Sequence, residues 1–124
     1  GCGVEGFDLT RSTVSFENSI IRDCTERIGS VYASSVTFNG CTFSNNGYNI
    51  SGYYSDDVAF GIAEYSNGIM PALVFTDCIF SGNKNVRFKA EYDVNGNKKL
   101  VKADYNSGYT KMTNCTYTDN RWQI

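Results

Sequence analysis

"VTFNGCTFSNN", which covers residues 36–46, indicates the fold because its pattern returns twice along the chain. It recurs as "LVFTDCIFSGN" at 73–83 and as "KMTNCTYTDN" at 111–120. The step is 37 residues each time (73 − 36 = 37 and 120 − 83 = 37). Self-similarity at a fixed period is the sequence signature of a repeat protein.

A shorter step relates an earlier stretch to the same pattern. "VSFENSIIRDC", at 14–24, precedes 36–46 by 22 residues (36 − 14 = 22). Ser19 then takes the position of Cys41, and Cys24 takes the position of Asn46. We therefore predict a fourth, weaker copy, with a step of 22 residues for one turn of the chain and about 15 inserted residues in the longer step.

Apolar residues alternate within each copy. In the copy at 36–46, Val36 and Phe38 precede a break at Asn39 and Gly40, and Cys41 and Phe43 follow it. Alternation with a period of two indicates a strand with one buried face. A strand, a polar bend and a second strand, repeated along the chain, predict a β-solenoid whose stacked coils share one core. The abundance of Val, Thr, Tyr and Phe also favours an all-β fold.

The repeated units, of the form V-x-F-x-x-C-x-F-x-x-N, resemble coils of a right-handed parallel β-helix of the pectin-lyase-like superfamily. The resemblance covers residues 14–46, 73–83 and 111–120. It implies a short right-handed parallel β-helix (solenoid) of about four coils. Such helices serve as lyases, hydrolases, phage spikes, adhesins and inert scaffolds, so the resemblance implies no single activity.

Stacking predicts three columns of identical or similar side chains, because equivalent residues of adjacent coils lie about 4.7–4.9 Å apart. We expect an inward aromatic stack, a ladder of asparagine amides and a column of buried thiols. The aromatic column is Phe43, Phe80 and Tyr117, the amide column is Asn46, Asn83 and Asn120, and the thiol column is Cys41, Cys78 and Cys115.

We expect all five cysteines to be free thiols. Stacked residues have parallel Cβ vectors, which fit disulfide geometry poorly. The total is also odd, so at least one thiol has no partner within the chain. A zinc or iron–sulfur site is disfavoured because the chain has no CxxC motif and no histidine.

Two segments depart from the regular pattern, at 47–72 and at 84–110. In the first, tyrosines could stack on sugar rings, and carboxylates could bind calcium or act as acid and base. The simpler interpretation is a solvated polar loop, since paired Asp residues are common in turns. The candidate ligand-binding residues are Tyr53, Tyr54, Asp56, Asp57, Glu64 and Tyr65.

The second segment predicts a β-hairpin that projects from the solenoid or lengthens one of its faces. Alternating apolar residues run from Val86 to Val94, followed by the strong turn dipeptide Asn95-Gly96 and a return strand at 100–105. Its basic residues match the polysaccharide lyases of the superfamily by residue type only. A charged solvent face is the simpler explanation. These basic residues are Arg87, Lys89, Lys98, Lys99 and Lys102.

Composition excludes several function classes. The net charge is −2, which disfavours a nucleic-acid partner because such proteins normally carry a basic patch. The absence of histidine removes Ser-His-Asp and Cys-His catalysis within this chain. The longest apolar runs, such as "ALVF" at 72–75, are too short for a transmembrane helix, so we expect no membrane span.

The leading hypothesis is a non-catalytic β-helix module of a secreted or cell-surface protein, acting as a scaffold or contacting carbohydrate. One alternative is part of a polysaccharide lyase or glycoside hydrolase. The other is an assembly module that pairs with another protein chain through an open solenoid end or the hairpin edge. We expect residues 1–124 to form a single domain, either a fragment or the C-terminal coils of a longer solenoid, with Trp122 closing the last coil.

Overall fold

The computed structural model describes residues 5–48, 58–63, 71–84, 86–90 and 110–121, and within these ranges the protein is all-β, without a helix. The strands are short, as alternating apolar segments between turn residues predict. They are β1 (Glu5–Thr10), β2 (Thr13–Glu17), β3 (Ile20–Arg22), β4 (Arg27–Tyr32), β5 (Ser35–Asn39), β6 (Thr42–Ser44), β7 (Val58–Ala63), β8 (Ala72–Thr76), β9 (Ile79–Ser81), β10 (Val86–Ala90), β11 (Thr110–Thr113) and β12 (Thr116–Thr118).

These strands form three parallel sheets of four strands each. Sheet A has the order β1-β4-β7-β10, sheet B has β2-β5-β8-β11, and sheet C has β3-β6-β9-β12. The chain therefore passes through sheets A, B and C in the same order four times. This arrangement is compatible with a parallel β-helix.

The strand register confirms both repeat lengths. Val14 pairs with Val36 across β2 and β5, which is the step of 22 residues. Val36 pairs with Leu73 across β5 and β8, which is the step of 37. Leu73 in turn pairs with Thr110 across β8 and β11, which is a second step of 37 residues. The inserted residues therefore leave the pairing of sheet B unchanged.

The core lies between the three sheets and is built from stacked aromatic rings. The centroids of Phe16 and Phe38 are 5.0 Å apart, and those of Phe38 and Phe75 are 4.8 Å apart. The second stack confirms the predicted aromatic column, with separations of 4.8 Å between Phe43 and Phe80 and 5.5 Å between Phe80 and Tyr117. Offset stacks of this kind add to the free energy gained by burial.

The predicted strand, bend and second strand occur in sheets B and C of each unit, and each unit has a third strand, in sheet A, that was not predicted. The sequence shows no repeat there, since neighbouring side chains complement one another instead of matching. Phe7 pairs with Gly29, and a Cβ on Gly29 would overlap the Phe7 ring. The Phe7 ring therefore fills the space that a side chain at Gly29 would need.

The predicted hairpin is found only in part. β10 lies where its first strand was expected, and it pairs in parallel with β7 within sheet A. This strand lengthens one face of the stack. The turn at Asn95-Gly96, the return segment 100–105 and Trp122 lie outside the described residues.

The corners between sheets B and C require left-handed backbone. Gly40, Asp77 and Asn114 each have φ between 53° and 63°, and Asn18 has φ 48°. Glycine, asparagine and aspartate tolerate this conformation best. The asparagines and aspartates at these corners therefore have a conformational role.

Candidate functional site

The six residues predicted to bind a ligand, Tyr53, Tyr54, Asp56, Asp57, Glu64 and Tyr65, lie outside the described residues. The strand that separates them in sequence, β7 (Val58–Ala63), lies between β4 and β10 in sheet A. The predicted calcium or carbohydrate site in this segment therefore stays a prediction. Three basic residues of the predicted hairpin, Lys98, Lys99 and Lys102, also lie outside the described residues.

Sheet C presents a regular outer surface, which we call the sheet C face. Its first column alternates aliphatic and hydroxyl side chains that are all β-branched, and its second column is polar. Ile20 and Ile79, with exposed fractions of 69% and 46%, are among the exposed large apolar residues of the described chain. The columns are Ile20, Thr42, Ile79 and Thr116, and Arg22, Ser44, Ser81 and Thr118.

The geometry of the sheet C face follows from the parallel register. Adjacent members of a column lie about 4.7–4.9 Å apart, and the two columns are separated by two residues along each strand, roughly 6.6 Å. The inward residues between the columns, Phe43 and Phe80, are stacked and buried. The outward side chains therefore stand on a packed aromatic layer and form a regular array of aliphatic and hydroxyl groups, with the Arg22 guanidinium in the first strand.

Sheet B has a more polar outer surface. Glu17 accepts hydrogen bonds from the Ser15 hydroxyl (2.9 Å) and from the Asn39 amide (2.8 Å). These bonds, that from Asn39 first, lower the pKa of the Glu17 carboxyl. The carboxylate is thus held within a surface network of neutral partners.

Acidic residues are dispersed over the part of the chain that the structure describes. No group of three or more Cys, Asp or Glu side chains able to hold a metal ion occurs there. Asp77 lies at a corner and accepts a hydrogen bond from the Asn114 amide of the next unit. This carboxylate therefore stabilises the stack of corners.

The predicted column of buried thiols is confirmed for Cys41 and Cys78, which are free and buried, while Cys115 is free but only half-buried. The Cys78 thiol donates to the carbonyl oxygens of Phe38 and Thr76 at 3.4 Å. Burial raises the pKa of Cys78 to about 11. A nucleophilic cysteine needs a lowered pKa and access to solvent, so Cys78 has the properties of a packing residue.

The prediction of five free thiols is wrong for Cys24, which is disulfide-bonded and fully buried. Parallel Cβ vectors are expected within the column of Cys41, Cys78 and Cys115. Cys24 lies elsewhere, at the corner position that Asn46 occupies in the next unit. The alignment of Cys24 with an asparagine was the available sequence signal that it has another role.

Sequence reasoning also missed two buried charged residues at the start of β4. Glu26 and Arg27 have exposed fractions of 6% and 3%. Charged side chains are rarely buried in this way. β4 is buried on both faces, since five consecutive residues of the strand, Arg27 to Val31, are buried. The lack of apolar alternation in β4 explains why this strand was not predicted.

No helix among the described residues is long and apolar enough to cross a membrane. Comparison with models of protein families, with curated proteins and with solved structures found no match to this chain.

Proposed function

We propose that this chain is a non-catalytic module with the right-handed parallel β-helix fold of the pectin-lyase-like superfamily, and that it belongs to a secreted or cell-surface protein. Its outer surface contacts carbohydrate. The observation that carries the proposal is the sheet C face, a regular array of β-branched and hydroxyl side chains on a stacked aromatic core.

The chemistry of the sheet C face suits a polysaccharide. Sugar rings offer C–H groups that pack on aliphatic side chains such as Ile20 and Ile79, and hydroxyl groups that bond to Thr42 and Ser44. An extended chain can follow the columns, because equivalent groups repeat at each strand. The rigid support lowers the entropy cost of binding, since few side chains must be ordered.

The disulfide of Cys24 supports a secreted or surface location. Disulfides form and persist mainly in oxidising compartments and are rare in the cytosol. Cys41 and Cys78 are free thiols but are buried, so an oxidising compartment would leave them unreacted.

A glycan array with the purified protein, run with calcium and with a chelator, tests this proposal. We expect binding without release of cleaved product. The Ile20→Ser and Ile79→Ser variants should bind at least several-fold more weakly, and Val74→Ser, an outward substitution in sheet B, is the matched control. Circular dichroism establishes that each variant is folded.

The possible results separate the three functions. Release of cleaved polysaccharide would replace the proposal with the lyase or hydrolase alternative. An equal loss of glycan binding in the Val74→Ser control would show that the contact does not depend on the sheet C face. No binding to any glycan would refute the carbohydrate proposal, and a concentration-dependent change in mass by ultracentrifugation would then favour assembly.

A further inference from the structure

The segment Asn114-Cys115-Thr116 matches the acceptor sequence for N-linked glycosylation, an asparagine followed two positions later by serine or threonine. Such a match has meaning only where the asparagine lies on the surface, because the attached glycan is bulky and hydrophilic. Asn114 and Thr116 are both exposed, whereas Cys115 between them is half-buried. The two side chains that the acceptor sequence requires therefore lie on the outside of the fold.

Asn114 lies at the corner between β11 and β12, where its φ of 53° turns the chain from sheet B into sheet C. The next residue, Cys115, packs against the core, and its thiol donates to the carbonyl oxygen of Phe75 at 3.6 Å. Successive side chains of an extended chain point in opposite directions, so Thr116 points outward. The fold thus presents the asparagine and the hydroxyl on either side of one inward residue.

The Asn114 amide is held at the surface by a hydrogen bond. Its Nδ2 donates to Oδ1 of Asp77, the corner residue of the preceding unit. An asparagine amide has two N–H groups, and an N-linked glycan replaces one hydrogen, so one N–H remains to donate to Asp77. Attachment of a glycan is therefore compatible with the link between the two corners.

Asn18 provides a comparison within the same chain. It shares with Asn114 a corner position between sheets B and C, a left-handed backbone (φ 48°) and an exposed side chain. The residue two positions after Asn18 is Ile20, which has no hydroxyl. The corner conformation explains an asparagine at both positions, but only Asn114 of the two is followed by the acceptor hydroxyl.

We propose that Asn114 carries an N-linked oligosaccharide. The inference rests on the secreted or cell-surface location proposed above, which the disulfide of Cys24 supports, and is independent of the carbohydrate contact of the sheet C face. The donor is an oligosaccharide linked to a polyprenyl diphosphate. Nδ2 of Asn114 forms a bond to C1 of the first sugar and loses one proton, while the bond from C1 to the diphosphate oxygen breaks and the polyprenyl diphosphate leaves. No group is oxidised or reduced in this transfer.

Peptide mapping by mass spectrometry of the whole protein, isolated from cells of its own source, tests the proposal. An amidase that releases N-linked glycans, used in water enriched in heavy oxygen, converts each glycosylated asparagine to an aspartate that carries heavy oxygen. We expect this label at Asn114 in most molecules and no label at Asn18. A second acceptor sequence, Asn49-Ile50-Ser51, lies outside the described residues, and its peptide is read separately.

Variants made in the same cells test the role of the hydroxyl. Thr116→Ala should abolish the label at Asn114, and Thr116→Ser should retain it because serine keeps the hydroxyl. Both variants keep the Asn114 amide that bonds to Asp77. Thr118→Ala, which removes another exposed threonine of β12, is the matched control and should retain the label. Circular dichroism establishes that each variant is folded.

An unlabelled Asn114 in the wild type, or a label at Asn49 alone, would overturn the proposal. A label at Asn114 that persists in Thr116→Ala would overturn the assignment of this acceptor sequence. The place where the protein is found separates the inference from the proposed location. Unlabelled protein outside the cell would overturn glycosylation alone, whereas unlabelled protein in the cytosol would overturn the secreted or cell-surface location as well.

Discussion

Replacing Asn83 by alanine tests the asparagine ladder most directly. Asn83 has an exposed fraction of 6%, and its side chain makes four hydrogen bonds. Oδ1 accepts from the backbone N–H of Asn46 (3.1 Å) and from its amide (3.0 Å). Nδ2 donates to the carbonyl oxygen of Phe43 (3.0 Å) and to Oδ1 of Asn120 (2.9 Å). The substitution removes all four bonds and leaves their partners in a buried place.

The expected loss follows from these bonds. A hydrogen bond contributes about 1 kcal/mol net to stability, so Asn83→Ala should lower the free energy of unfolding by about 4 kcal/mol. The matched control is Asn39→Ala, which removes one exposed bond to Glu17 and should cost under about 1 kcal/mol. Urea denaturation followed by circular dichroism, with linear extrapolation, gives both values. Equal losses in the two variants would refute the view that the ladder stabilises the stack.

Three further substitutions test the packing, the core thiol and the corners. Gly29→Ala should destabilise the protein by about 1–3 kcal/mol because its Cβ would overlap the Phe7 ring. The loss should be smaller in a Phe7→Ala background, and a double-mutant cycle by denaturation measures this coupling. Additive losses in the two variants would contradict the proposed contact. The Cys78 thiol has a pKa of about 11 in the folded protein, against an ordinary value of 9.0, so its contribution to stability is complete below pH 9 and is lost as the pH rises toward 11. The free energy of unfolding of Cys78→Ala should therefore decline less steeply over that pH range than that of the wild type. An equally steep decline in the variant would contradict this assignment. Ala33, which lies between β4 and β5, has φ 49°, a value that favours glycine. Ala33→Gly should therefore raise the free energy of unfolding by about 0.5–1 kcal/mol in urea denaturation. A lower value would show that the backbone at Ala33 is not strained.

The proposed carbohydrate contact depends on the same repeat that builds the core. Because the period of a strand is two, each inward phenylalanine places its two sequence neighbours outward. Phe43 thus places Thr42 and Ser44 on the sheet C face, and Phe80 places Ile79 and Ser81 there. The regular spacing of the surface is therefore a direct consequence of core stacking.

Sheets B and C, their register and the ladders within them could be predicted from the amino-acid sequence alone. Parallel strands in register bring equivalent residues together, so a phenylalanine, a thiol or an asparagine packs best on another of its kind. That requirement leaves a repeat in the sequence, visible in Phe43 and Phe80 and in Asn46 and Asn83. The candidate ligand residues at 53–65 follow no such requirement, and they stay a prediction.

Sheet A and the disulfide of Cys24 became apparent only in the folded structure. In sheet A the Phe7 ring fills the space beside Gly29. A large and a small residue therefore pack against each other at equivalent positions, and no repeated residue type appears in the sequence. β4 is buried on both faces and lacks alternation, which hides it from a search for periodicity. Cys24 resembles the other cysteines in sequence, yet its corner position gives it a disulfide and not a place in the thiol column. Packing between different side chains and covalent pairing are properties of three-dimensional neighbours, so a repeat cannot report them.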